Sequence, residues 1–218
     1  VGLSAVLAEI SMQSFDNQAK GLDGVYRYFR FADDIIVFST VDATLVDSQL
    51  HKILPDGMDF NRRKVQLLTL DSTEIRDAQR CAFEYLGYRF ETQPSKRRGG
   101  RRIRLSISQR KINKHKSRVL LSFKAFLRNG DYNLLRDRLR FAAGNYVVRR
   151  KGFAFSGGVT HVKSGIFYNY RYCGTYCHVA GELSFEEYDS RELEQLDALM
   201  RTMLLRRKGK IANQVSAR

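Results

Sequence analysis

The apolar side chains near the start of the chain have the spacing of a helix. Leu3, Val6, Leu7 and Ile10, with Met12 beyond them, fall at i, i+3, i+4 and i+7, and Ser4 stands near the start of the run. The period changes at Tyr26. Tyr26-Arg27-Tyr28-Phe29-Arg30-Phe31 alternates aromatic and basic residues, and Ile35-Ile36-Val37-Phe38-Ser39 is β-branched and aromatic. Two strands are predicted there, joined tightly across Ala32-Asp33-Asp34. Leu45, Leu50, Ile53 and Leu54 mark a short amphipathic helix that ends near Pro55-Asp56-Gly57. From Ser108 onward, Ile112, Val119, Leu120, Phe123, Phe126 and Leu127 form one face of a long helix, which Asn129-Gly130-Asp131 ends. A second helix is predicted over residues 134–148, a loop over 152–158, and a C-terminal helix over 183–205, where acidic residues precede Arg206-Arg207-Lys208 as a helix dipole favours. The class is α+β. No apolar run approaches the ~18–20 residues that cross a bilayer.

Composition narrows the picture. The 218 residues (25.2 kDa) are 43% hydrophobic and 28% charged with only 2 Pro, which excludes a disordered or collagen-like chain and leaves enough length for a real core. Lys and Arg number 38 against 23 Asp and Glu, a net +15, but the excess is local. Residues 1–95 hold 10 basic and 14 acidic side chains, residues 96–151 hold 19 and 2, and residues 152–218 hold 9 and 7. A block with net charge +17 between near-neutral flanks points to a polyanion, and hence to nucleic acid. Charges that serve solubility alone are usually mixed in sign. Val1-Gly2-Leu3-Ser4 has no signal-peptide pattern, and the chain opens inside an amphipathic element, so a further segment is expected before Val1. Three Cys cannot all pair within one chain; reduced thiols in a cytoplasmic protein are expected, with no membrane partner.

The chemistry concentrates at Asp33-Asp34. Two carboxylates fixed at a hairpin tip repel each other unless cations sit between them, and hard oxygen ligands with no His or Cys nearby suit Mg²⁺ or Mn²⁺. Such a pair can help to hold two ions about 3.5 to 4 Å apart, one activating an attacking 3′-hydroxyl and one stabilising the leaving pyrophosphate. The plain alternative is a polar turn of no chemical consequence.

Phe31-Ala32-Asp33-Asp34 resembles the Tyr-x-Asp-Asp box of reverse transcriptases, and the order of the surrounding motifs agrees. Gly2-Leu3-Ser4 through Leu7-Ala8-Glu9-Ile10 to Phe15-Asp16 resembles the helix that precedes that box. Phe60-Asn61-Arg62-Arg63-Lys64 resembles the Asn-x-x-Lys element, and Phe83-Glu84-Tyr85-Leu86-Gly87-Tyr88 resembles the Phe-Leu-Gly primer grip. The resemblance covers residues 1 to about 90. It implies that Asp33 ligates both metal ions, with Asp34 in support. It implies too that Lys64 lies near the triphosphate as a charge or an acid, that Phe31 and Ala32 lie beside the primer terminus and nucleotide, and that Leu86, Gly87 and Tyr88 hold the primer. An ordinary surface Lys and a plain hairpin turn are the alternatives for Lys64 and for the Leu86–Tyr88 tripeptide. Phe31 stands where the family has Tyr, keeping the ring and losing the hydroxyl, so altered fidelity or primer handling is expected. The family takes a further metal-binding Asp, and its fingers, from chain upstream of the opening helix. Asp16 and Asp23 fall after that helix in family order and do not fit the role. The expectation is the C-terminal part of a longer enzyme.

Lys96-Arg97-Arg98-Gly99-Gly100-Arg101-Arg102-Ile103-Arg104 packs six cations into nine residues and reads as a flexible hairpin or linker able to lie along phosphates. Together with Lys111, Lys114 and Arg118 on the following helix, these cations are the candidate nucleic-acid contacts. The expected organisation is α+β: a partial palm with primer grip over 1–95 (antiparallel sheet with packed helices), a basic linker or hairpin over 96–107, and a helical thumb or helical-repeat domain over 108–218. Arg140-Phe141-Ala142-Ala143-Gly144-Asn145-Tyr146 and Gly165-Ile166-Phe167-Tyr168-Asn169-Tyr170 resemble the helical C-terminal regions of abortive-infection reverse transcriptases, which implies a role in phage defence with unusual priming or templating. Tyr168, Tyr170, Tyr172 and Tyr176 are expected to fill core rather than to stack bases or prime. Cys173, Cys177 and His178, with His161, make a weak zinc pattern, and no zinc is expected. The function so read is RNA-directed DNA polymerase, a nucleotidyltransferase using Mg²⁺ or Mn²⁺ and deoxynucleoside triphosphates, with RNA template or DNA product as partner and room for a non-coding RNA or an oligomeric partner. A maturase-like RNA-binding fragment and a non-catalytic polymerase subunit are the alternatives; the intact Asp33-Asp34 pair argues against both.

Overall fold

The computed structural model describes residues 3–70, 81–93, 101–144, 147–151, 159–163, 165–179, 182–186 and 191–205. The chain divides into two units, Val1–Leu86 and Gly87–Arg218.

In the first unit, helix α1 (Leu3–Lys20) runs well beyond the apolar spacing that predicts it and packs by a different face. Met12, Phe15 and Ala19 form its inner stripe, with Phe15 and Ala19 fully buried. Leu3, Val6, Leu7 and Ile10 lie on roughly the opposite side, at about 100° per residue, and are exposed. Asp16 therefore belongs to this helix and does not follow it. Strands β1 (Val25–Phe31) and β2 (Asp34–Ser39) pair antiparallel, with Phe31 opposite Asp34, Phe29 opposite Ile36 and Tyr28 opposite Val37. Because side chains alternate between faces, Tyr28, Ile35 and Val37 reach the core that Phe15 shares with Val46 and Leu50 of α2 (Ala43–Lys52). Helix α2 is capped by Asp42, whose carboxylate accepts from the Thr44 amide at 2.8 Å. The predicted Leu50 points inward, while Leu45 is exposed. Strand β3 (Ala82–Tyr85) ends this unit.

The second unit holds strands β4 (Tyr88–Gln93) and β5 (Arg101–Ile107), helices α3 (Gln109–Asn129) and α4 (Tyr132–Ala143), strands β6 (Val147–Lys151) and β7 (Val159–Lys163), helix α5 (Ile166–Tyr170), strands β8 (Gly174–Val179) and β9 (Glu182–Glu186), and helix α6 (Arg191–Leu205). Strands β4, β5, β8 and β9 lie side by side in that order, each neighbouring pair antiparallel, and β6 and β7 form a separate ribbon. Ile107, Ile112, Ile166, Cys173 and Leu196 make one core. Val119, Phe123 and Phe126 of α3 meet Leu135 of α4 and Met203 of α6 in another. Ser108 caps α3, its side chain accepting from the Lys111 amide, and Gly130 ends the helix at φ 67°.

The coarse α+β class holds, but an all-helical region from residue 108 does not. Four strands lie between residues 147 and 186. The helix predicted over 134–148 stops at Ala143 because Gly144 turns left-handed at φ 82°, and Val147 and Val148 pair with Lys163 and Val162. Leu183 is in β9, so the C-terminal helix begins only at Arg191. Val147-Val148, Val159-Thr160 and Thr175-Tyr176 are β-branched and aromatic runs whose local preference wins over the helical reading. Residues 101–107 of the basic segment are a strand inside the sheet, whereas Lys96, Arg97 and Arg98 and the loop at 152–158 lie outside the described residues.

Candidate active site

The β1–β2 register leaves Ala32 and Asp33 as the two residues of a tight turn, with Asp34 as the first residue of β2. Ala32 has φ +54° and Asp33 does not share the positive sign, which is the sign pattern of a type II′ turn. That turn ordinarily takes Gly at its first central position, and an L-residue held there costs roughly 1 kcal/mol. Asp33 and Asp34 are exposed. Among the described residues neither carboxylate has a hydrogen-bond or ion-pair partner, so both keep their oxygens available. Phe31 is 64% exposed and lies on the same face as Asp34, with Phe29 two residues before it; this face of the hairpin is the one turned away from α1.

The opposite face carries a residue to which the sequence reading gave no role. Arg30 is nearly buried, its side chain 6% exposed, and every guanidinium nitrogen is engaged. Nε and Nη2 donate to the two oxygens of Asp16 at 2.7 Å each. Nη2 and Nη1 donate to Glu9 at 2.7 and 3.2 Å, and Nη1 donates to the Ala32 carbonyl at 3.0 Å. The Tyr28 hydroxyl donates to the same Asp16 carboxylate at 2.7 Å. The Arg30 guanidinium holds the Asp16 carboxyl below its ordinary range, and burial together with the Asp16 charge pushes the Tyr28 phenol up. Asp16 is thus committed to Arg30 and Tyr28 and is not available as a metal ligand. The available signal for Arg30 was its position, an Arg at an inward register of an amphipathic strand three residues before the carboxylate pair.

As donors, Asp33 and Asp34 fit a hard divalent cation: two exposed carboxylates without competing partners. They do not make a complete site, because no group of three or more His, Cys, Asp or Glu gathers among the described residues. Lys64 is exposed in the turn after Asn61, whose carbonyl accepts from the Lys64 amide at 2.8 Å, and among the described residues it makes no bond with the carboxylate turn. Tyr85 reaches that turn only weakly, its hydroxyl 3.5 Å from the Asp34 carbonyl.

The remaining predicted contacts fall in the second unit or at its boundary. Leu86 and Gly87 both have positive φ, 50° and 79°, as a type I′ turn requires. Leu86 is exposed, but Tyr88 is held inside the unit: its hydroxyl donates to the Asn169 carbonyl at 2.9 Å, and the Lys111 ammonium lies 5.0 Å above its ring. Lys111 also donates to Asn169 Oδ1 at 2.7 Å, and burial pushes its pKa down. Tyr88 and Lys111 therefore brace β4 and α3 against α5, with their polar atoms engaged by Asn169 inside the unit. Arg102 pairs with Glu186 at 3.0 Å. Arg101 and Arg104 are both on β5.

Lys114 and Arg118 are placed differently. With Arg110, Lys124 and Arg128 they form one exposed face along α3, a helix with no acidic residue in its 21 positions. From residue 110 to 128 that face is about 27 Å long at 1.5 Å per residue. Among the described residues none of these five side chains has an acidic partner. None of the three cysteines forms a disulfide. Cys173 is buried in the core, and burial pushes its thiol up to about 12.

Comparison of the chain with protein-family models, with curated proteins and with solved structures found no match.

Proposed function

We propose that the chain carries the metal-holding turn and a phosphate-binding face of a nucleotidyltransferase of the reverse-transcriptase kind, which adds deoxynucleotides to a primer 3′-hydroxyl. The observation that carries this reading is the Asp33-Asp34 pair, exposed and without partners among the described residues, at the tip of a hairpin whose inner face is locked to α1. Two adjacent carboxylates left unpaired repel each other, and a turn with no chemical task has no use for them. Asp33 and Asp34 would hold the divalent cation, and a third carboxylate would come from chain outside the described residues. The cation, when bound, supplies a lowered pKa for the attacking hydroxyl and neutralises charge on the leaving pyrophosphate. The exposed Phe31 ring, on the same face as Asp34, offers an apolar surface on which a base or sugar at the primer end can rest. Arg110, Lys114, Arg118, Lys124 and Arg128 offer a row of charges to a nucleic-acid backbone and carry no sequence information themselves.

A second reading is an RNA-binding scaffold that no longer catalyses. The absence of a third carboxylate among the described residues favours it. The two readings part on Mg²⁺-dependent incorporation of labelled deoxynucleotides by the full-length protein. Incorporation that disappears in Asp33→Ala supports the enzyme; equal incorporation by wild type and variant removes it.

A further inference from the structure

We propose that Arg30 is the positioning residue of the Asp33-Asp34 turn, acting through the Ala32 carbonyl; the proposal rests on the metal-holding reading of that turn. A non-glycine residue at positive φ persists only where its surroundings over-determine it. Here the surroundings are explicit. Glu9 and Asp16 lie seven residues apart on α1 and present two carboxylates to one guanidinium, which they grip in paired fashion, and the remaining Nη1 hydrogen points at the Ala32 carbonyl. The helix thus sets where Arg30 sits, Arg30 sets where the Ala32 peptide sits, and that peptide leads directly into Asp33. The planar fork explains why Arg stands here: a Lys ammonium has neither the paired geometry nor enough fixed donors to hold two carboxylates and a carbonyl together.

The charges agree with this assignment. A guanidinium three residues from a cation site would oppose cation binding if it were free. Glu9 and Asp16 are both paired with it, so its charge is offset where it sits behind the turn. Arg30 can therefore orient the turn without repelling the ion that Asp33 and Asp34 would hold.

The test is Mn²⁺ affinity of the full-length protein, followed by the electron paramagnetic resonance signal of free Mn²⁺, in wild type, Asp33→Ala, Arg30→Lys, Arg30→Gln and Glu9→Gln. Mn²⁺ is the only probe added, so the readout does not depend on turnover. Residues that orient metal ligands typically contribute 10–100-fold in affinity, and Arg30→Gln is expected to weaken Mn²⁺ binding by about 10-fold at least. Arg30→Lys is expected to recover only part of that loss. Glu9→Gln, at a 62% exposed side chain whose loss leaves the core intact, is expected to weaken binding by a smaller factor. Circular dichroism of each variant separates a loosened turn from an unfolded chain, and if Arg30→Gln does not fold, Arg30→Lys and Glu9→Gln decide the matter. Folded Arg30 and Glu9 variants that bind Mn²⁺ as wild type does, while Asp33→Ala does not, would overturn the positioning role and leave the metal site standing. Equal binding by wild type and Asp33→Ala would instead overturn the metal-holding reading, and the positioning role with it.

Discussion

At the scale of single residues, the most informative position is Ala32. Its φ of +54° places a methyl-bearing residue where a turn of this sign pattern prefers Gly. Relieving that strain should stabilise the fold: Ala32→Gly is expected to raise stability by up to about 1 kcal/mol, read as the urea midpoint at unchanged slope. A variant less stable than wild type would mean that the positive φ is not strained in place. Two polar features illustrate what could be read in advance and what could not. The Asp33-Asp34 pair was legible because adjacent acidic residues between two β-branched and aromatic runs are unusual and their turn position follows from the alternation. The five-bond arrangement of Arg30 was not legible, since alternation gives a side chain's face but not its partners on a helix 14 to 21 residues earlier.

At the scale of elements, strand pairs with clear alternation and helices with strong caps were readable, and segments whose local preference competed with their periodicity were not. The α3 boundaries follow from Ser108 and Gly130 as the sequence predicts, and Leu86-Gly87 form the tight turn that stood as the plain alternative for the Leu86–Tyr88 tripeptide. The inner face of α1 was misread. Its apolar residues at positions 3, 6, 7 and 10 satisfy helical spacing, but Phe15 and Ala19 on the other side do the packing, and only tertiary contact with β1 and α2 distinguishes the two stripes. Helix α3 carries a testable pH dependence of its own. His115 lies on its buried face with Nδ1 lacking a partner among the described residues, and burial, reinforced by Arg118, Lys111 and Lys114, holds its imidazole below the ordinary 6.5. The unfolded chain then takes up a proton that the folded chain refuses, so this contribution to stability is complete above about pH 6.5 and is lost as pH falls through the lower folded value. Thermal melts between pH 7.5 and 5 are expected to show a decline in Tm for wild type that His115→Leu reduces. Parallel declines in the two proteins would contradict this assignment.

At the scale of the whole molecule, the basic excess and the Asp33-Asp34 pair are allotted to different stretches of chain. The carboxylates lie in a slightly acidic half, and the basic excess is concentrated from residue 96 to 151, where α3 alone presents five cations on one exposed face. Nucleic acid bound along such a face would release counterions, which makes the proposed contact measurable. Replacing Lys114, Arg118 and Lys124 together by Ser is expected to weaken binding similarly for unrelated sequences and to lower the slope of log K against log salt by about 1 per residue removed. An unchanged slope would show that these charges serve solubility alone.

The proposed metal-holding role of the Asp33-Asp34 turn is central to all of this, and incorporation of deoxynucleotides by the full-length protein, measured against Mg²⁺ concentration for wild type and for Asp33→Asn, tests it most directly. Asn keeps the size of the side chain and removes the charge, so the turn is preserved while its hold on a cation is not. A cation's electrostatic help amounts to several kcal/mol, and wild type is expected to incorporate in a Mg²⁺-dependent manner, with the variant at least ~100-fold slower. Equal rates in the two proteins, with both folded, would contradict the account.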